Sequence, residues 1–394
     1  MSRKRTLRRA GAGVLAAGVA AGAFAIATTS AQADTAILGA DDPDAISGEY
    51  FVVFKDGASA QDSATVASSA GVDDVTTYGV LDGFFAEMTE EQAKELADDS
   101  RVDYVEQNRR VHTMAPGEQT DATWGLDRTD QRDLPLDQTY GWDEDGNGVT
   151  AYIVDTGVLS THSEFEGRMA EGFDAIEDGN GTEDCNGHGT HVAGTTAGST
   201  YGVAKEATVV PVRVLDCNGS GSFDGVIAGI EWVAENAEKP AVANMSLGGT
   251  NSDMLNDAVD NAVASGVSFA VAAGNSDNDA CGNTPAGASD VITVAATDDS
   301  DARATFSSWG SCVEIFAPGV DITSAWHTGD EDTNTISGTS MATPHVAGAV
   351  AVYLSANPEA TPAEVTEWLT SNATPDVVQD PKDSPNALLY GKFE

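Results

Sequence analysis

The residues of this 394-residue chain that could do chemistry together are a serine, a histidine and an aspartate, each set in its own glycine-bearing segment. Ser340 lies in Gly338-Thr339-Ser340-Met341-Ala342-Thr343-Pro344-His345-Val346-Ala347-Gly348, and the apolar run from Val346 to Leu354 predicts a buried helix. A hydroxyl at a helix N-terminus sits beside unpaired backbone N–H groups, which stabilise the negative charge that develops when it attacks a carbonyl. Taken alone, such a serine reads as an N-cap. Upstream, Val149 to Val154 reads as a buried strand ending in Asp155-Thr156-Gly157-Val158, so a carboxylate lies at the strand's carboxyl end, the edge where open α/β sheets bind ligands. Between them, Asn186-Gly187-His188-Gly189-Thr190-His191-Val192-Ala193-Gly194 places two histidines where a glycine-rich loop gives way to a small-residue helix. Asp, His and Ser in that chain order match one of the arrangements known for a nucleophile, its base and the carboxylate that orients the base. Cys185, His188 and His191 also form a C-x2-H-x2-H spacing readable as zinc ligation, but no glutamate follows His188 as the HExxH pattern of zinc peptidases requires.

Taken together, DTGV, NGHGTHVAG and GTSMATPHVAG resemble the three active-site signatures of the subtilisin-like serine peptidases, the subtilases. The resemblance implies a three-layer α/β fold with a mostly parallel central sheet. It also implies a triad in which His188 takes the Ser340 proton, Asp155 fixes the histidine tautomer, and Ser340 forms an acyl-enzyme. His191 and His345 are then structural. Val267 to Ala273 reads as a second buried strand closing in Gly274-Asn275, and the resemblance assigns the Asn275 amide and the Ser340 N–H as oxyanion donors. It further implies that Gly219-Ser220-Gly221 and Ser246-Leu247-Gly248 are two extended segments that sandwich a peptide substrate through backbone hydrogen bonds, small residues permitting close approach. Main-chain recognition implies broad specificity, with the family's preference for a hydrophobic or aromatic residue before the scissile bond. The competing class is a non-catalytic binding protein of the same fold, and a relative of that kind would lack at least one of the four catalytic positions, all of which are filled here.

The elements that must position these residues occupy only the later part of the chain. Residues 1–33 combine a basic start, an uncharged apolar stretch from Gly11 to about Thr28 and Ala31-Gln32-Ala33, an A-x-A site, which is the pattern of a secretory signal peptide. The Arg8-Arg9 pair admits a twin-arginine route. An extracellular location is expected, with no stable membrane association, because no later run is long enough to span a bilayer. Residues 34–114, with a folded core at about 46–112, show a βαββαβ pattern and resemble the inhibitory propeptide of subtilases, including GFxA at Gly83 and YVE at Tyr104. The resemblance implies a folding aid and intramolecular inhibitor, cut between Val111 and Gly117. Residues 115–394 carry no Pro/Ser-rich linker or repeat, so they are expected to form one catalytic domain, acting as a monomer on protein and peptide substrates.

All four cysteines, at 185, 217, 281 and 312, lie in that last segment, and an even count in an exported chain favours two disulfides, with three pairings open. The segment from Trp124 to Leu136 and the VLDCNGSGS run resemble the proteinase K group, especially its aqualysin-like members, which implies Cys185–Cys217 and Cys281–Cys312. Loops of this length suggest about 3–4 kcal/mol of stabilisation each. Structural Ca²⁺, with no catalytic cofactor, is expected: Asp127, Asp130, Gln131 and Asp137 match a site of that group, with Thr139 where those relatives carry Asn. A second implied site uses the carbonyls of Ser289 and Val291 with Glu314, where the family carries Asp. The run Asp143-Glu144-Asp145-Gly146-Asn147-Gly148 also looks calcium-like, though such runs are more often turns. Without the five basic residues of the leader, 14 Lys and Arg face 63 Asp and Glu, a net charge of −49 on residues 34–394. Such a surface disfavours nucleic acid and is relieved by screening salt or bound cations, so function in a salt- or cation-rich medium is expected.

Overall fold

The computed structural model describes residues 37–40, 45–55, 60–72, 74–78, 81–109 and 117–392. The expected leader, and the expected cleavage window up to residue 116, lie outside them. The chain divides into two units, Met1–Thr113 and Met114–Glu394.

In the first unit the strands Ala45–Phe54, Thr76–Thr77, Gly83–Glu87 and Val102–Arg109 form one antiparallel sheet with the long first strand inside it. Alternation along that strand sends Tyr50, Val52 and Phe54 into a core with Val66, Ala67, Ala93 and Leu96 from the helices Ala60–Ser69 and Glu90–Ala97. The second helix starts with a reciprocal capping box between Thr89 and Gln92. The expected βαββαβ order is therefore present.

The second unit is built on a nine-stranded sheet. From one edge it runs Thr374–Pro375, Ala387–Leu388, Ile315–Pro318, Ile292–Thr297, Ser268–Ala272, Ala241–Met245, Thr150–Asp155, Thr208–Arg213 and Phe173–Asp174. All neighbours are parallel except the first pair. The central strands are buried along their length, as parallel strands covered on both faces must be. Along Thr150–Asp155 the pleat divides the residues between two cores. Ala151 and Ile153 join the helices His188–Ala197 and Thr339–Ala356, while Tyr152 and Val154 join Phe223–Asn236 and Asp253–Ala264. These are the three layers expected.

Two disulfides form, Cys185–Cys217 and Cys281–Cys312, with Cα atoms 4.9 and 5.3 Å apart. A buried ion pair ties the first helix of this unit, Trp124–Asp130, to the loop after Ile292–Thr297: Arg128 gives Nε to Asp301 Oδ1 at 2.7 Å and Nη2 to Oδ2 at 3.1 Å. Its remaining N–H groups reach the carbonyls of Gln131 and Arg132. Removing one member of such a pair strands the other's charge in the interior. Arg128→Ala is therefore expected to lower unfolding free energy by about 3–5 kcal/mol, measured by denaturant titration; a loss indistinguishable from that of an exposed arginine would refute this role.

Candidate active site

The strand Thr150–Asp155 delivers Asp155, fully buried, to the carboxyl edge of the sheet. Its Oδ1 accepts the Thr156 N–H at 2.8 Å and lies 2.8 Å from His188 Nδ1. Nδ1 therefore carries the proton and the other ring nitrogen, Nε2, is left free to accept one. His188 is the first residue of its helix, and its partly exposed ring lines a hollow of about 500 Å³. Burial pulls its pKa down, but the adjacent charge and hydrogen bond of Asp155, with the charge of Asp184 adding, outweigh this and leave the ring more basic than an ordinary histidine.

Two glycines make the approach of the two segments possible. A side-chain carbon on Gly189 would lie 2.0 Å from the Gly157 carbonyl oxygen, and Gly157 itself has φ near +102° with the Thr182 carbonyl 2.5 Å from where its Cβ would be. Holding the pair together is Asp184, a residue the sequence reading did not single out. Its Oδ1 accepts from Thr156 Oγ1, the Asn186 N–H and the Gly187 N–H, each at 2.9 Å; its Oδ2 accepts from the Thr190 N–H and Oγ1 at 2.9 and 2.7 Å. One buried carboxylate thus caps the His188 helix and grips the loop that follows Asp155. The available signal was an Asp shortly before a helix start, which is N-cap chemistry.

Ser340 is the second residue of the helix Thr339–Ala356. Its hydroxyl donates to the Ser246 carbonyl at 3.1 Å, so donation to His188 requires the hydroxyl to turn away from that carbonyl. Asn275 follows the strand Ser268–Ala272, and its Oδ1 accepts the Thr339 N–H and Oγ1 at 2.8 and 3.0 Å. With that oxygen occupied, the amide is oriented and its NH₂ group is the part left to donate. Thr339, also unremarked in the sequence reading, binds the neighbouring Gly274 N–H as well. Ser340 and Asn275 line a second hollow of about 450 Å³, which shares the Ser246–Gly249 wall with the one lined by His188.

The first hollow is also lined by Gly219, Ser220 and Gly221, so both expected substrate segments border one cleft, joined by Leu215, Phe223, Val226 and Leu255. Asp216 shapes the first segment by accepting the Asn218 and Ser220 N–H groups at 2.8 and 3.0 Å. The Cys185–Cys217 disulfide and the Asn186 side chain, which donates to the Cys217 carbonyl at 3.1 Å, link it to the His188 loop.

The disulfide removes Cys185 from the zinc reading. His191 is likewise committed, its Nε2 donating toward the Ile322 and Asn334 carbonyls at 3.1 and 3.2 Å, and burial pulls its pKa down to about 4. His345 donates from Nδ1 to the Met341 carbonyl at 2.8 Å, and burial holds it at about 4 too. Both are neutral tethers near neutral pH.

Of the expected calcium ligands, Asp127, Gln131 and Asp137 interlock through the Asp137 N–H, which lies 3.4 Å from Asp127 Oδ1 and 3.3 Å from Gln131 Oε1. Asp130 accepts from Gly141 and Lys392 on Oδ2, while its buried Oδ1 has no partner among the described residues. Burial pushes Asp127 up to about 6 and raises Asp130, so this corner holds carboxylate charge poorly without a cation. Glu314, pushed by burial up to about 7, accepts the Thr293 N–H at 2.7 Å and lines a hollow with Ser289, Asp290 and Val291. The 143–148 run forms a turn in which the Asn147 N–H binds Asp145 Oδ1. Among the described residues no three His, Cys, Asp or Glu side chains converge on one point, so a cation at either place would rely on carbonyl or amide oxygens as well. No helix of the described residues is long and apolar enough to cross a membrane.

Comparison with known proteins agrees with this geometry. Residues 146–390 match the subtilase family and residues 49–114 the peptidase inhibitor I9 family. The chain is 50% identical to an extracellular serine proteinase of Thermus sp. (strain Rt41A), covering 91% of this chain and 92% of that one. It is also 50% identical to alkaline serine exoprotease A of Vibrio alginolyticus, over 90% of this chain and 69% of the relative. A solved cold-adapted subtilisin-like serine proteinase is 55% identical, with a TM-score of 0.68, and its whole length aligns with 70% of this chain. The carboxylate at the strand end, the histidine and serine on facing helix starts and the family match over most of the second unit lead to one assignment: the chain belongs to the subtilase family.

Proposed function

We infer that this serine endopeptidase acts through Asp155, His188 and Ser340, with Asn275 and the Ser340 N–H as oxyanion donors. The observation that carries the reading is the 2.8 Å contact between buried Asp155 and His188 beside a cleft that Ser340 also borders. A peptide would lie between Gly219–Gly221 and Ser246–Gly248. His188 Nε2 takes the Ser340 proton as Oγ attacks the carbonyl, and Asp155 stabilises the imidazolium. The developing oxyanion meets the Asn275 amide, held ready by Thr339, and the N-terminal turn of the helix. His188 then protonates the leaving amine, and water, activated by the same ring, hydrolyses the acyl-enzyme.

The domain reading follows: a leader at 1–33, an inhibitory propeptide at 34–114 and a catalytic domain at 115–394, exported and self-processed. The extracellular relative supports export. Structural calcium fits the unpartnered Asp130 oxygen and, less completely, the Glu314 hollow, where it would offset buried carboxylate charge. It would supply no chemistry to the reaction.

Peptide mapping after treatment with a sulfonyl fluoride is expected to find one adduct, on Ser340, and a mature N-terminus between residues 111 and 117. An unlabelled, folded protein would overturn the nucleophile, and a start before residue 100 would overturn the propeptide. The pH dependence follows from His188. The free enzyme needs a neutral ring, so kcat/KM should fall about tenfold per pH unit below a His188 pKa that lies above the ordinary value of about 6.5. Asp184→Asn should move this acid limb to lower pH; an unmoved limb would remove Asp184 from the electrostatics of the base. Stability runs the other way, since a raised folded-state pKa gives a contribution that is full below the unfolded value and lost as pH rises through the folded one. Chelation should shorten the half-life at elevated temperature, and Asp130→Asn should reduce that effect; an unchanged half-life on chelation would rule out structural calcium.

A further inference from the structure

The helix that carries Ser340 contains a proline four residues later, Pro344. In an α-helix the N–H of residue i+4 donates to the carbonyl of residue i, so Pro344, which has no N–H, leaves the Ser340 carbonyl without its intrahelical donor, and the ring crowds that same carbonyl aside. The missing donor comes from outside the helix. Ser246 Oγ donates to the Ser340 carbonyl at 2.8 Å, and the Ser246 hydroxyl oxygen is in turn held by Asn244 Nδ2 at 3.0 Å. Asn244 and Ser246 are both buried, at 1% and 3% exposure, and the remaining Asn244 amide oxygen has no partner among the described residues, so this side chain serves Ser246 alone. The contact is reciprocal, because Ser340 Oγ rests on the Ser246 carbonyl at 3.1 Å. The carbonyls on either side of Ser340 are also engaged by side chains, Thr339 by Thr343 Oγ1 and Met341 by His345 Nδ1, both at 2.8 Å, but those donors belong to the helix itself.

We propose that the side chain of Ser246, backed by Asn244, is a positioning residue for the nucleophile: Pro344 frees the Ser340 carbonyl, and the Ser246 hydroxyl takes it up, fixing Ser340 against the segment that holds the substrate backbone. The sequence reading gave Ser246 a main-chain part in substrate binding; its hydroxyl has this separate one. A bond of this kind sets the height and rotation of Ser340 in the cleft without touching the reacting atoms, so its loss acts on acylation and hardly on binding. The inference rests on Ser340 being the nucleophile.

The test is a double-mutant cycle in the matured enzyme, with acylation by a chromogenic peptide substrate followed in single turnovers. Ser246→Ala is expected to lower kcat by on the order of tenfold to a hundredfold, with KM changed less than about threefold, as for a small misplacement of a reacting group. Pro344→Ala restores a backbone donor to the Ser340 carbonyl, so in that background Ser246→Ala should cost several-fold less. Asn244→Ala, which removes only the support for the Ser246 hydroxyl, should show a smaller loss of kcat with the same suppression by Pro344→Ala, and it serves as the test if Ser246→Ala does not mature. Equal losses in the wild-type and Pro344→Ala backgrounds, or a loss carried by KM alone, would overturn the proposal. Sulfonyl fluoride labelling of the wild-type enzyme separates the two readings: failure to label Ser340 overturns the nucleophile itself, whereas labelling together with an additive cycle overturns only the role of Ser246.

Discussion

A carboxylate removed from water must be given hydrogen-bond donors or charge, and meeting that requirement twice organises the active face of this protein. Asp155 is fully buried and is satisfied on one oxygen by its own loop and by His188. Asp184, nearly as buried, is satisfied by five donors from three segments. The second carboxylate solves the positioning problem posed by the first, because its donors come from the residue after Asp155, from the loop at Asn186 and Gly187, and from Thr190 in the first turn of the helix that starts with His188. Neither group could be moved alone. Such a network is tight when complete and costly when one member is lost.

How much of this was legible in the sequence depended on whether a residue's partners lay nearby. The three signature segments could be read because each carries glycines at points of backbone contact, as Gly189 against Gly157 shows, and because their chain order is informative. Individual elements could also be read, from uninterrupted apolar strands and small-residue helices, while the three layers came from the resemblance to subtilases. The order of strands across the sheet could not, since buried parallel strands look alike in composition. Asp184, Thr339 and Asn244 went unread for a related reason. Asp184 and Thr339 bind residues up to 65 positions away, as between Thr339 and Gly274, while Asn244 binds only Ser246 two positions on and matters through the contact of Ser246 with Ser340, 94 positions further; a buried hydrogen-bond hub has the same letters as a loop. Calcium ligation stays at the level of donor chemistry: the unpartnered Asp130 oxygen fits a cation, but the assignment of ligands rests on resemblance.

The charge imbalance of the composition is carried almost entirely by the surface. Of the 14 basic residues beyond the leader, Arg128, Arg213, Lys205 and Arg303 are buried. Arg213 is clamped bidentately by Asp178 at 2.7 Å, and Lys205 lies over the rings of Tyr140 and Trp142 while donating to the Ser199 and Thr200 carbonyls. Among the described residues five carboxylates, Asp127, Asp155, Glu164, Asp184 and Asp301, are buried alongside these four cations, so the surface keeps nearly the whole imbalance. A protein of this kind gains little from isolated surface ion pairs and more from whatever raises the counter-ion concentration around it.

The strand Thr150–Asp155 bears on how the enzyme can be altered. Its odd and even residues belong to different cores, and its last residue holds His188 by a hydrogen bond. A shift by one position would exchange the two faces and withdraw Asp155 from His188 together. The contact between Asp155 and His188 is therefore insulated from drift in this strand by packing on both sides, whereas the loops that border the cleft carry no such double obligation. Variation in substrate preference has room to accumulate in those loops, and variation in the strand is confined to exchanges of side-chain size that leave its length untouched.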